Sequence, residues 1–558
     1  MAEHANSLLI ENARIIDGNG GPARHGSVAV VAGKITAVGG AAATEVPAEA
    51  RRIDARGRAV APGFIDVHTH FDPQLCWDRL ATPALEHGVT TVVAGNCSLS
   101  LAPVRAADRR PLAGMFRQIE DIPLATFDAA VPWTWESYGE WLEFIRPGLG
   151  INVAGLVGHS PLRHFVMGAA AQERAATDDE IATMALVLRE AIRAGAAGLS
   201  TSYVDSDENM RPVASRYATR DEVIALGRAM AEEGRGLIQT VPIFFMPEAQ
   251  LQNMRDMAEI SRATGLVCSV APIVHSPYST LAADSLALLE HEAETGARLF
   301  GQSMPRPFDI NIRLAETSFV LYALPAWAAI MRLPHAERRQ AFADPERRQE
   351  LRDHAVLLGP AWNHLVVSRV AQAANAGLEG RLLRDIAAER GAHPVDVWLD
   401  LACAEDLATE FSVRGMIHAE PDGVAGILNH PRVHIGASDA GAHIAQFCGS
   451  GDTTWLLGHW VRDRSVMPLE RAVHRITAEL ADAFGIAGRG RLEPGLAGDL
   501  VLFDPATIDR GDEEFVHDVP GGANRYLRHA RGVDMVAVAG AVVWEDGGYT
   551  EARTGTIV

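Results

Sequence analysis

The chain has 558 residues, 48% of them hydrophobic and 22% charged, so it can bury a large core and exceeds the length of one simple domain. Its formal net charge of −21 argues against nucleic acid or an anionic membrane surface as a partner. The cysteines are few and odd in number, which favours a reducing cytoplasm over a disulfide framework. We also expect no signal peptide and no membrane-spanning segment, since neither pattern occurs.

Both ends of the chain contain short β segments. Residues 7–60 and the stretch from about 490 carry apolar runs that are separated by Gly and Asn turn signals. We therefore expect residues 1–60 and 490–558 to form one small β-sandwich domain from both termini. Two unrelated β extensions are the alternative.

The middle of the chain, residues 61–489, alternates strand-like runs with helical patterns, which is typical of βα units. Helices are predicted over 178–194, 220–234, 247–264 and 281–295. A helical insertion at about 310–425 precedes the last strand and is expected to cover the barrel mouth or extend one loop. The strand-like runs are AVAPGFIDVH, TTVVAGNC, INVAGLVGH, AAGLSTS, GLIQTVP, GLVCSVAPI, ARLFGQS and VHIGASD.

Eight such units predict an α/β protein with a (β/α)8, TIM-like barrel. Because the chemistry of these barrels lies at the carboxyl ends of the strands, the polar residues that end the runs should meet at one mouth. These residues are His68, His70, Cys97, His159, Ser202, Gln302 and Asp439.

His68 and His70 end the first run, in PGFIDVHTH, and strand alternation places them on the same face. Two imidazoles so close together can chelate one divalent ion. Cys97 ends the second run, where a thiolate would be a soft ligand for zinc. The alternatives are hydrogen-bonded histidines and an inert buried cysteine.

Asp439 ends the eighth run, in GASDAGAH. A carboxylate beside a metal ion can take a proton from water and pass it to a leaving amine, which predicts a general acid/base. A helix N-cap is the alternative role. His443 follows four residues later and is expected to support the site or the fold.

Several of these motifs resemble those of a known protein family. PGFIDVHTH, AGNCS, GHSPLR, GLSTS and SDAGAH resemble the amidohydrolase superfamily and, within it, the N-acyl-D-amino-acid deacylases, or D-aminoacylases. LEPGLAGDLVLFDP and VPGGANRYLRHARG look like the closing segments of that group, so the resemblance runs nearly end to end.

The resemblance implies a barrel with a small β domain, one or two zinc ions and hydrolysis of an amide by activated water. It also implies that His68, His70, Cys97 and Asp439 bind metal, with Asp439 as general acid/base. Cys97 would replace the carboxylated lysine of many superfamily members. The sequence agrees, because its single lysine, Lys34, lies in the N-terminal β segment.

Two strands depart from the family pattern. Val241 stands where the fifth strand of a D-aminoacylase supplies a histidine, and His275 is offset from the histidines of the sixth strand. The lysine that holds a substrate carboxylate is also absent. One interpretation is a rebuilt site with one zinc ion, and the other is a catalytically inactive binding protein.

Substrate contacts are predicted from polar residues near the strand ends. His159 and Tyr203 could donate to an amide carbonyl, and His275 could assist at the site. Arg306 or Arg216 could bind a carboxylate in place of the missing lysine. Each has a structural role as its alternative.

The sequence thus predicts a hydrolase of a linear amide such as an N-acyl amino acid, with a bulky apolar substrate favoured. A cyclic amide or carbamate remains an alternative substrate. A small-molecule amide is the expected partner, and homo-oligomerisation is left open.

Overall fold

The computed structural model describes residues 6–40, 42 and 46–558, with residues 356–358 described by their backbone alone. Residues 1–5, 41 and 43–45 of the predicted N-terminal segment lie outside the described residues. Of the helices in the described ranges, none combines the length and the apolar character needed to cross a membrane.

Eight parallel strands form one sheet in sequential order, which makes a TIM-like barrel. Each strand is buried or nearly so along its whole length, as expected for a parallel sheet covered on both faces. The barrel strands are Phe64–Asp66, Val89–Ala94, Asn152–Gly158, Gly198–Ser202, Leu237–Val241, Val267–Val270, Leu299–Ser303 and Val433–Ile435.

The ring closes through the segments that follow the first and last strands. The backbone N–H of His70 donates to Ala440 O at 2.7 Å, and the N–H of Asp439 donates to His68 O at 3.0 Å. Thr69 and Ala440 form a parallel bridge between the same segments. Closure therefore brings together residues that lie about 370 positions apart in the chain.

The predicted helices between the middle strands are confirmed, with ends that shift by a few residues. Thr177 caps the helix Asp178–Ala194 with a capping box. Its side chain accepts a hydrogen bond from the backbone N–H of Glu180, and the Glu180 side chain accepts one from the backbone N–H of Thr177. The helices outside the insertion are Arg109–Glu120, Leu124–Ala130, Tyr138–Ile145, His159–Met167, Asp178–Ala194, Arg220–Glu232, Pro247–Thr264, Leu281–Glu294, Pro421–Asn429, Asp452–Trp455, Leu469–Arg475 and Ala478–Phe484, with a π-helix at Leu456–Asp463.

The strands of the two termini pair into a nine-stranded sheet. Ala59–Pro62 joins it between Leu8–Ile15 and Leu500–Phe503, so the first predicted run divides and only Phe64–Asp66 enters the barrel. The division falls at Gly63, where an added Cβ would lie 2.1 Å from Thr90 Oγ1. The other strands of this sheet are Arg24–Val31, Lys34–Gly39, Arg51–Asp54, Val533–Val538, Ala541–Glu545 and Gly548–Tyr549.

Residues between the seventh and eighth barrel strands form a unit with its own apolar core. Trp327 packs against Trp398 in a tilted arrangement, with ring centroids 4.9 Å apart, and both side chains are fully buried. Three antiparallel strands complete the unit, namely Ile310–Arg313, Leu365–Arg369 and Glu410–Val413. Its helices are Phe319–Tyr322, Pro325–Met331, His335–Ala343, Pro345–Ala355, Leu383–Arg390 and Pro394–Ala404.

We predict that Trp327→Ala lowers the free energy of unfolding by about 3–5 kcal/mol, because it empties the centre of this second core. The midpoint of urea-induced unfolding, followed by circular dichroism, measures the loss of stability. Leu186→Ala, at a side chain that is 61% exposed, is the matched control and should leave the midpoint unchanged. Equal midpoints for both variants would contradict this packing account.

Candidate metal centre

Three donor atoms meet at the barrel mouth, as the sequence predicts. The Sγ of Cys97 lies 3.4 Å from Nε2 of His68 and 3.7 Å from Nε2 of His70. In the described part of the chain, these residues form a group whose donor atoms all lie within 4.8 Å of one another. A tetrahedral zinc ion with ordinary bond lengths would hold nitrogen and sulfur ligands about 3.6 Å apart. The spacing therefore fits a single metal ion.

Two of the mouth residues have left-handed backbones. The φ angle is 54° at Cys97 and 61° at Asp439, a region that costs a non-glycine residue about 1–2 kcal/mol. The backbone N–H of Cys97 donates to Oε1 of Gln239 at 3.2 Å, which holds the turn. Strain that is retained at the ends of two different strands is typical of a functional site.

Side chains behind His68 and His70 orient both imidazoles. Nδ1 of His68 lies 2.8 Å from Oε1 of Gln302, whose amide nitrogen donates to Ser269 Oγ at 2.9 Å. With the amide assigned this way, Nδ1 carries the proton and Nε2 faces the cluster as a free lone pair. Nδ1 of His70 lies 3.1 Å from Oε1 of Glu120, at an angle outside that of a hydrogen bond. Such partners usually fix metal-binding histidines.

Asp439 lies beside the imidazoles. Its Oδ1 is 3.0 Å from Nε2 of His70 and 3.6 Å from Nε2 of His68, and its Oδ2 is 3.6 Å from Nε2 of His443. Nδ1 of His443 in turn contacts Oδ2 of Asp121 at 3.0 Å. Asp439 thus lies beside three histidines, with one oxygen toward the cluster of donors.

The cluster is buried and rich in acidic groups. Burial lowers the pKa of His68 to about 4, so this imidazole is neutral at pH 7, as a ligand must be. Burial raises the pKa of the Cys97 thiol, and Glu120, Asp205 and Asp439 add to the effect. Burial likewise raises the pKa of Asp205 to about 6. A cation at the cluster would favour the ionised forms of these groups, including the thiolate.

The pKa of Asp439 is lowered, whereas that of Asp205 is raised. Burial alone would raise the pKa of Asp439, but the hydrogen bond from His70 and the charges of His70 and His443 lower it. Burial tends to lower the pKa of His443, whereas Asp121 and Asp439 raise it above its usual value. Asp439 is therefore ionised and able to accept a proton.

Two of the predicted substrate residues do not line the mouth cavity. His159 is fully buried, with Nε2 at 2.9 Å from Glu222 Oε1 and Nδ1 at 3.1 Å from Thr201 Oγ1. Both ring nitrogens are thereby occupied. The hydroxyl of Tyr203 contacts Met257 Sδ at 3.9 Å within the core. Neither side chain lines the mouth cavity.

His275 and Arg306 also lie outside the cavity lining. The His275 ring packs against Gly423, where an added Cβ would lie 2.3 Å from it, so it faces a helix rather than the donor cluster. Arg306 is buried, donates to Ser438 O at 2.6 Å and pairs with Asp452 at 3.1 Å. It faces a separate cavity behind the Asp439 loop.

Sequence reasoning missed Glu120 and Asp205. Glu120 ends the helix Arg109–Glu120, a position where a carboxylate is usually solvated, so nothing in the pattern marked it. Asp205 follows the fourth strand by three residues and lines the mouth cavity, so the strand-end rule could have found it.

The donor cluster opens into a cavity of about 550 Å3. Apart from the polar groups at its base and Arg216, its walls are mainly apolar and come from several barrel loops and the unit before the eighth strand. The apolar wall residues are Ile119, Val204, Met210, Val241, Ile243, Phe244, Phe245, Met246, Ala271, Pro272, Val274, Met304, Phe308, Phe319, Ala323, Ile417 and Ala437.

Residues 51–544 match the amidohydrolase family over most of the chain. The chain belongs to the amidohydrolase family. This amidohydrolase is 32% identical to a D-aminoacylase of Alcaligenes xylosoxydans xylosoxydans, across 99% of this chain and 97% of the relative.

Solved structures agree with this relationship. A D-aminoacylase structure described by its binuclear metal centre is 28% identical, with a TM-score of 0.66 and 98% of each chain covered. A second is an N-acyl-D-glutamate deacylase from Bordetella bronchiseptica, in complex with zinc and a phosphonate inhibitor. It is 27% identical, with a TM-score of 0.64, and 99% of this chain and 98% of that chain are covered.

Glu120 provides the first test of this site. We predict that Glu120→Gln lowers the affinity for zinc by about 10–100-fold, because an amide beside His70 cannot ionise when the cation binds. Competition with a chromophoric chelator measures the affinity. Glu140→Gln, at an exposed helix cap, is the control. An unchanged affinity in Glu120→Gln would show that the carboxylate has no part in orienting His70.

Gly449 provides the second test. An added Cβ there would lie 2.2 Å from Ser438 O and 2.8 Å from Asp439 C, so the loop must move. We predict that Gly449→Ala lowers kcat for the best amide substrate by about 100-fold, because the carboxylate is displaced. Gly426→Ala, where no atom lies within 4 Å of the added Cβ, is the control. Wild-type kcat in Gly449→Ala would contradict the packing described.

Proposed function

We propose that this amidohydrolase is a metal-dependent hydrolase that cleaves the linear amide of an N-acyl amino acid. The observation that carries the proposal is the group of His68, His70 and Cys97 donors, with Asp439 beside them, at the base of an apolar cavity. The relatives support it, since one is named as a D-aminoacylase and another as an N-acyl-D-glutamate deacylase. They do not favour a cyclic amide substrate or an inactive barrel.

The metal is proposed to be zinc, held by His68, His70 and Cys97, with Asp439 as a neighbouring oxygen donor. A thiolate with two imidazoles is a donor set that suits zinc. One ion is favoured over two, because Val241 brings no donor from the fifth strand and His275 faces away.

The proposed chemistry assigns one task to each group. A bound divalent ion would polarise the scissile carbonyl and lower the pKa of a water molecule. The Oδ1 of Asp439 takes the proton of the attacking water and then gives it to the leaving amine nitrogen. His443 holds Oδ2, which keeps Oδ1 toward the substrate.

The cavity favours a substrate with a bulky apolar group. The Phe244, Phe245 and Met246 side chains line it and are 37%, 65% and 54% exposed, as expected for a surface that a ligand covers. Arg216 also lines it and bonds with the carbonyls of Val204 and Asp205 through one guanidinium nitrogen. We propose that the rest of this guanidinium binds the substrate carboxylate.

We also propose a division into domains and a cellular location. Residues 1–60 with 490–558 are proposed as a small β-sandwich domain beside a barrel of residues 61–489, with the insertion at about 310–425. The low cysteine content and the unpaired state of all five cysteines support a cytoplasmic location.

Metal content tests the site. Purified protein should contain about one equivalent of zinc or a similar ion by elemental analysis, and His68→Ala/His70→Ala should contain almost none. The exposed residue His529 is the control, as His529→Ala should keep the metal. Metal-free wild-type protein, with no uptake after zinc is added, would refute the proposal.

Asp439→Asn tests the proton transfer. We expect kcat to fall by about 100–10,000-fold, because the general acid/base is lost, while the metal content stays within twofold. Release of primary amine from a panel of N-acyl-D- and L-amino acids measures the rate. The control is Asp128→Asn, at a side chain that is 66% exposed. Full activity in Asp439→Asn would remove this residue from the mechanism.

Arg216→Ala tests the carboxylate contact. We expect KM for the best N-acyl amino acid to rise at least tenfold, with kcat changed much less, because a charge-assisted contact is lost. The carboxamide analogue of the same substrate should be cleaved equally by both proteins. Equal losses on both substrates would contradict the assignment.

A further inference from the structure

A second cavity lies behind the loop that carries Asp439, and the proposed function makes no use of it. Its volume is about 180 Å3. Arg306 connects the two regions, because its guanidinium donates to Ser438 O at 2.6 Å while it also lines this second cavity. The remaining lining residues are Pro307, Asp309, Asn311, Arg414, Phe447, Cys448, Arg510, Glu513 and Arg528.

Four arginines face only two acidic residues in this lining. Glu513 has both oxygens engaged, since Oε1 accepts from Cys448 N and Arg528 Nη2 at 2.9 Å each, and Oε2 accepts from Asn311 at 2.8 Å. Oδ1 of Asp309 accepts from Gly415 N at 2.8 Å. Asp452 lies beside the cavity and pairs with Arg306, so three acidic groups in all face four arginines. The acidic side chains of the lining are largely committed, and positive charge is left over in a protein of net charge −21.

Three guanidinium nitrogens of the lining residues are buried without a hydrogen-bond acceptor among the described residues. One is Nε of Arg306, which still lies 3.1 Å from Asp452 Oδ1, and the other two are Nη1 of Arg510 and Nε of Arg528. Arg510 stacks on Trp455, with 4.3 Å from its guanidinium carbon to the ring centroid, which fixes its plane. Burial and the charge of Arg528 lower the pKa of Arg510 to about 9. Buried donors of this kind are normally satisfied by water or by an ion.

We infer that this cavity binds a small oxyanion, either phosphate or a carboxylate, through the free N–H groups of Arg510 and Arg528. Planar guanidinium groups match both anions in geometry and form short, charge-assisted hydrogen bonds with them. The bound anion would also reduce the repulsion between the two arginines.

The oxyanion site is separate from the cavity of the metal centre. Phe308 lines the mouth cavity and Phe447 lines the arginine cavity, and their rings pack edge to face with centroids 5.9 Å apart. Arg306 lies over the Phe447 ring at 4.8 Å. The anion is therefore not the substrate carboxylate, and its binding does not depend on the proposed function.

Calorimetric titration of the full-length, metal-loaded protein tests the inference. Inorganic phosphate and acetate are titrated separately, at an ionic strength kept constant with chloride. We expect at least one of them to bind with a stoichiometry of one, and the stronger of the two shows which oxyanion the site prefers. Arg510→Gln should weaken that binding at least tenfold, and Arg528→Gln should weaken it too.

Two control variants test whether the anion binds at the arginine cavity. Arg174→Gln removes an arginine from an exposed ion pair with Glu180 and should leave binding within twofold of the wild type. His68→Ala/His70→Ala should also retain it, which separates this site from an anion at the metal centre. The midpoint of thermal unfolding should rise when the anion is added to the wild-type protein. It should not rise in the Arg510→Gln variant, provided that this variant still unfolds cooperatively. Binding of neither anion, or binding unchanged in both arginine variants, would overturn the inference.

Discussion

The hydrogen bonds that close the barrel are the constraint on which the site depends. Backbone groups of His68 and His70 pair with Asp439 and Ala440, so the two chain segments that carry most of the chemistry are also the two that complete the ring. The position of Asp439 against both imidazoles therefore follows from the closure of the fold. A substitution in the Asp439 loop is therefore expected to alter the closure of the barrel as well as the geometry of the metal centre.

Burial gives the same residues their chemical character. Removed from water, a neutral His68 and the Cys97 thiol meet several carboxyl groups, and the single lysine of the chain, Lys34, lies in the terminal sheet. The family relationship and the donor spacing support the same explanation, which is that a metal ion supplies the missing positive charge.

The sequence predicted the barrel well, because buried parallel strands leave continuous apolar runs and the strand ends are easily located. It also predicted the convergence of His68, His70, Cys97 and Asp439, since all four end strands or follow them closely. Glu120 was missed because it reaches the site from a helix, where no periodic rule applies. Reasoning from strand ends could not show that His159 is already engaged by Glu222, or that His275 turns toward a helix.

One metal ion at the barrel mouth is proposed to be bound by one sulfur and two imidazole nitrogens. X-ray absorption at the metal edge of the zinc-loaded protein tests it directly. We expect one sulfur scatterer at about 2.3 Å with nitrogen or oxygen neighbours at about 2.0–2.1 Å, and loss of the sulfur signal in Cys97→Ser. A spectrum with oxygen and nitrogen neighbours alone, unchanged in Cys97→Ser, would contradict it.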